Sequence, residues 1–124
     1  VDSPHGPAVL GGSWPERVER YCRQRGIAAF NVEGGATIDW IDWALTTGRY
    51  AAITYGTAHM ITAVGFGGAG TYLIVDNNYP GEVRRVCRET FLREHRRYGG
   101  GWCVILDTPG PPPWTLPQHS GAMR

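Results

Sequence analysis

The stretch Tyr55–Tyr79, YGTAHMITAVGFGGAGTYLIVDNNY, decides how the rest of the chain is arranged. It reads as two strands joined by a glycine-rich turn at Gly67, Gly68 and Gly70. His59 opens the first strand, and Asp76, Asn77 and Asn78 close the second. In an antiparallel hairpin the start of one strand lies beside the end of the next, so the imidazole meets a carboxylate or an amide. A catalytic histidine requires such a neighbour to fix its tautomer and ring orientation. Side chains alternate along a strand, so Asp76 and Asn77 cannot both face His59.

Upstream of this hairpin, Tyr50 to Tyr55 reads as a strand that leads into His59 through Gly56-Thr57-Ala58. His59, Ile61, Ala63 and Gly65 share one face of the following strand; Met60, Thr62, Val64 and Phe66 share the other. Both faces are largely apolar, which predicts a central strand covered on both sides. Before it lies a helix with Thr37 as its cap, Asp39 and Asp42 in favourable positions near its start, and Gly48 at its end. Ile38, Ile41 and Leu45 form its apolar stripe, and Trp40 and Trp43 widen it. Further back, Ile27 to Val32 is a strand, and Ser13-Trp14-Pro15-Glu16 is a capping box opening a helix that Gly26 ends. Downstream, Glu82 to Cys87 reads as a strand, Glu89 to Tyr98 as an arginine-rich helix, and Trp102 to Leu106 as a last strand. The fold class is therefore α+β, an antiparallel sheet with helices packed on it. The chain divides into an extended lead-in over 1–12, a folded part over 13–107, and a Pro-rich, polyproline-like tail over 108–124 that wraps or dangles.

Composition narrows the functional classes. A chain of 124 residues with 42% hydrophobic and 19% charged residues is one globular domain with one core. The net charge of +1 gives no overall attraction to nucleic acid or membrane, and no apolar run is long enough to span a bilayer. Three cysteines leave at least one thiol unpaired, and Cys22, Cys87 and Cys103 lack zinc-site spacing. They are read as buried small hydrophobes, and neither metal nor cofactor is expected. His5 and His119 fall in irregular Pro-rich segments, and His95, among Arg93, Arg96 and Arg97, is read as a surface or rim residue. The arginines of residues 84–97 are read as a solvated face that Glu82, Glu89 and Glu94 partly offset.

The order His59, small and apolar residues, Val64-Gly65-Phe66-Gly67, Tyr72-Leu73-Ile74-Val75 and Asn77-x-Tyr79 resembles the His–Asn half of papain-like cysteine peptidases. It is similar above all to the compact bacterial branch related to bacteriocin-processing peptidases, over roughly Ser13 to Leu106. The resemblance implies His59 as general base and acid. It implies Asn77 as the residue that orients the ring, with Tyr79 where the family has a shielding Trp. In the compact branch the orienting group is an Asp directly after the strand, which here is Asp76. Asn77 is preferred, because Asn-x-aromatic is the more specific match.

The same resemblance calls for a Cys at a helix N-terminus and a Gln a few residues before it. Cys22 lies late in its helix, and Cys87 and Cys103 follow the His on strands. Gly11-Gly12-Ser13-Trp14 echoes the nucleophile segment with Ser where Cys would stand, and is read as a helix cap. Cys and Gln are therefore expected from a segment before Val1 or from a separate chain, and this chain alone is expected to be inactive. The leading expectation is the C-terminal part of a papain-like cysteine peptidase that hydrolyses peptide or isopeptide bonds of a peptide or protein substrate. The alternative is an inactive papain-like domain that binds a peptide or stabilises a larger assembly through Trp40, Trp43, the Arg-rich helix and the Pro-rich tail. Deamidation or transglutamination by the same triad is a third expectation.

Overall fold

A computed structural model describes residues 13–76, 78–106, 116–117 and 121–123, without the side chains of 13–15 and 121–123. Helix α1 spans Ser13–Gln24, strand β1 Ala29–Glu33, helix α2 Thr37–Thr46, strand β2 Ala51–Thr54 and strand β3 Met60–Gly68. Strand β4 spans Thr71–Val75, β5 Val83–Cys87, helix α3 Arg88–Arg96, β6 Trp102–Leu106 and β7 Gly121–Met123. The strands form one seven-stranded sheet in the order β5-β4-β3-β2-β6-β1-β7, every neighbouring pair antiparallel. This is the α+β class expected from the chain.

The β3–β4 hairpin is built as its glycines dictate. Gly68 pairs with Thr71, and the two residues between them, Ala69 and Gly70, have φ of 51° and 72°. Positive φ at both central positions makes the turn twist with the strands, at a small steric cost for Ala69. A register shift between Ala63 and Gly65 bulges β3.

Cross-strand partners carry the core across the sheet. Phe30, Ile105, Ala51, Ala63 and Ile74 follow one another from β1 to β4 on a single face, and Val32, Cys103, Ile53 and Ile61 form the next row. Ile38, Trp40, Ile41, Ala44 and Leu45 of α2 and Phe91 of α3 cover that face. Burying such side chains stabilises by about 1.5–3 kcal/mol each. On the opposite face Cys22 of α1, with Val18 and Ile27, packs on Ala29 and Val104. Met60, Thr62 and Val64 on that second face are only half-buried, so β3 is covered on one side and not on both. The apolar residues there are small, and their presence on both faces overstated the cover.

Two other expectations are corrected, and a third, the tail that wraps or dangles, is resolved toward wrapping. Thr37 is not the cap of α2; Ala36 holds that position, in helical conformation after a 3-10 turn over Gly34–Ala36. Trp40 is 2% exposed, its ring tilted against Phe30 and edge-on to Trp43, and its indole N–H donates to the Pro117 carbonyl at 2.8 Å. It is core and offers no contact surface. The tail also returns to the body: Leu116 packs on the core and residues 121–123 pair with β1. The lead-in over 1–12 and the capping-box side chains of Ser13, Trp14 and Pro15 lie outside the described residues.

Candidate functional site

His59 stands at the end of a five-residue connection between β2 and β3. The connection is closed by the Tyr55 N–H donating to the His59 carbonyl at 2.9 Å, and α3 braces it through Gly56 N–H to the Glu94 carbonyl at 2.8 Å. Gly56 takes a φ of 70°, and Ala58 takes 53°, in the left-handed region that residues with a Cβ enter at a cost of about 1–2 kcal/mol. Thr62 of β3 pairs with Val75 of β4, so the residues just before β3 and just after β4 converge.

The convergence puts His59 Nε2 3.0 Å from Asp76 Oδ1. Asp76 is the partner, and Asn77, preferred from the sequence, lies outside the described residues. Asp76 is itself held: the same Oδ1 accepts the Asn78 N–H at 2.9 Å, and the Asp76 carbonyl accepts the Tyr79 N–H at 2.9 Å. The Asn78 N–H, above all, holds the Asp76 carboxyl below the usual carboxylate range; the bond and charge of His59 and the charge of Arg84 add to this, and burial opposes it. An ionised carboxylate only accepts, so Nε2 carries a proton, and whenever the ring is neutral the lone pair is on Nδ1. The His59 side chain is 36% exposed and that of Asp76 16%. The pair is therefore an oriented imidazole at the surface.

Tyr79 does not take the shielding place that the Asn-x-aromatic pattern gave it. It is half exposed, and its ring faces the Arg84 guanidinium at 4.9 Å.

Two of the three thiols are buried as expected, and one is not. Cys22 and Cys103 are buried, and burial pushes both thiols up. Cys87 is exposed and occupies the N-cap of α3, because β5 runs into the helix with no turn between them. Its Sγ is 3.3 Å from Thr90 Oγ1, and that hydroxyl, then the Thr90 and Glu89 N–H groups, pull its pKa down. This corrects the reading of Cys87 as a buried strand thiol away from any helix start. The signal was present in Cys87-Arg88-Glu89-Thr90, where a capping-type residue three positions on follows a strand directly. Cys87 pairs with Thr71, at the far end of β4 from Asp76. Five residues of strand separate them, about 17 Å, so Cys87 and His59 form no dyad.

His95 is the second site residue misread from the sequence. It is fully buried, with Nδ1 2.9 Å from the Thr54 carbonyl and Nε2 2.8 Å from Thr37 Oγ1. A carbonyl only accepts, so Nδ1 bears the proton. Burial, then the nearby Arg96 charge, lowers its pKa, partly offset by the Thr54 bond, and the ring is neutral. Phe91 and His95 are four residues apart on α3, a spacing that puts both on its buried face.

Among the described residues no cluster of three His, Cys, Asp or Glu side chains has metal-site geometry, and no helix is long and apolar enough to cross a membrane. No family model matches the chain, and no curated protein and no solved structure is significantly similar to it.

Proposed function

We propose that this chain is the His-bearing part of a papain-like cysteine peptidase, with His59 as general base and acid and Asp76 as its orienting group. The observation that carries the reading is the 3.0 Å His59–Asp76 hydrogen bond on a carboxylate already fixed by Asn78. It leaves Nδ1 as the basic atom, able to take the proton of a thiol and return it to the leaving amine. The sequence order supports the same reading: α1, α2 and then the His hairpin follow the compact bacterial branch. Asp76 in place of Asn77 also agrees with that branch. The thiol and the oxyanion donor come from outside the described residues, and the substrate is a peptide or isopeptide bond.

The test is peptide hydrolysis by the whole gene product, including whatever it encodes before Val1. His59→Ala is expected to lower kcat/KM by about 10³-fold, and Asp76→Ala by about 10–100-fold, both with folding retained. Full activity in His59→Ala sinks the assignment. A second reading, a domain of this class that binds peptides without chemistry, is favoured by the distance of Cys87 from His59 and the burial of Cys22 and Cys103. An inactive gene product that binds peptides selects it.

A further inference from the structure

β5 is the outermost strand of the sheet, and among the described residues its outer edge has no partner. Its register with β4 runs from Thr71–Cys87 to Val75–Val83 without a bulge. Four of its five residues are exposed, Val83 at 57%. An edge of this kind presents unpaired N–H and C=O groups to any extended chain.

Charge decides which chain. Between Glu82 and Arg97 there are six arginines and three glutamates. Glu94 is shared by Arg93 and Arg97, and Glu82 is 4.0 Å from Arg84. Arg85 is in no ion pair among the described residues; it lies over Gly67 of β3, where a Cβ would come within 3.0 Å of its Nε. Two copies pairing antiparallel about this strand's centre would set Arg85 against Arg85, and like charges directly opposite are unfavourable. The same side chains attract a strand of opposite sign.

The geometry points to β5 as a docking edge for an extended acidic peptide, bound by strand addition. The register fixes its pattern. Arg84 and Arg85 point to opposite faces, so the ligand needs two adjacent acidic residues, one per face. Val83 and Val86 flank them, so the acidic pair is bracketed by apolar residues. This inference does not depend on catalysis by His59.

The test is fluorescence anisotropy on the full chain, at low salt, with a labelled, end-blocked octapeptide centred on Val-Glu-Glu-Val. Binding is expected, and a Val-Lys-Lys-Val peptide is expected not to bind. Arg84→Glu with Arg85→Glu should weaken binding by about tenfold or more, from two attractions turned to repulsions. Two further peptides, N-methylated on alternate residues in opposite phase, need no protein variant. One phase should bind as the parent does, and the other, which removes the donors facing β5, should not bind. Absence of binding by the parent peptide overturns the inference, as does equal binding by the charge-reversed protein. Equal behaviour of the two methylated peptides also overturns it, because attraction would then act without strand pairing.

Discussion

His59 and His95 sit at the two sides of the same connection, one at its exit and the other bonded to Thr54 just before its start. The fold treats them in opposite ways. His95 is bonded at both ring nitrogens and fully buried, and its packing ties α3 to β2 and to the start of α2. Among the described residues His59 is bonded at one nitrogen, with a third of its side chain exposed. The tautomers are opposite as well: the proton is on Nδ1 in His95, facing a carbonyl, and on Nε2 in His59, facing a carboxylate. The ring bonded at both nitrogens is held on both sides by the core, whereas the other is held among the described residues from one side.

The largest effect that sharpens this contrast is on stability. His95→Ala removes a packed ring, the Nδ1–H donor of the Thr54 carbonyl and one of the two partners of the Thr37 hydroxyl, which keeps its bond to the Gly34 carbonyl, and should cost about 3–5 kcal/mol in urea unfolding. His59→Ala and Asp76→Ala should cost less than about 1 kcal/mol each, because the pair is partly exposed. Equal losses would erase the distinction. Gly101→Ala tests the same junction from the other side. A Cβ there would meet His95 Nε2 at 2.8 Å, at a φ of 105°, so a loss of about 2–4 kcal/mol is expected.

A smaller effect lies in the pH dependence. The folded pKa of His95 is below its ordinary value of 6.5, so the unfolded chain takes up the proton first as pH falls. The contribution is fully present above about pH 6.5 and is lost as pH drops through the lower folded value. Asp76, also depressed, contributes in a separate window, present above about pH 4 and lost as pH falls through its folded value. Urea midpoints measured from pH 8 to pH 4 should fall first in the His95 window. His95→Gln should flatten that first fall, whereas Asp76→Asn should leave it in place.

The smallest effect is at the thiols. Cys87 should alkylate near neutral pH well ahead of Cys22 and Cys103, since it alone is exposed with a lowered pKa. His59→Ala should leave the Cys87 rate unchanged. A dependence on His59 would mean that the two groups communicate across the length of β4.

Local signals in the chain were enough for the hairpin, the order of strands and helices up to β6, and the convergence of His59 with the end of β4. Gly68 and Gly70 announce the turn, and the turn sets the register that brings the ends together. That Asp76 bonds the ring was not decided by the pattern, which offered both Asp76 and Asn77; the Asn78 N–H that locks the Asp76 carboxylate has no signature in the sequence. His95 was hidden for a related reason. Three arginines around it suggest a surface helix, while its partners Thr54 and Thr37 are 41 and 58 residues away. Cys87 was hidden by a strand that becomes a helix without a linker. The pairing of residues 121–123 with β1 had no local cue, since three residues are too few for a periodic pattern.

The central claim, that Asp76 holds His59 as an oriented base, is tested most directly by two-bond ¹⁵N–¹H correlation spectra of the imidazoles. They are recorded near pH 9, alkaline of the ordinary histidine range. His59 should be protonated on Nε2 and His95 on Nδ1, and Asp76→Ala should return His59 to a mixture of tautomers while leaving His95 untouched. A His59 protonated on Nδ1, or one indifferent to Asp76→Ala, would contradict it.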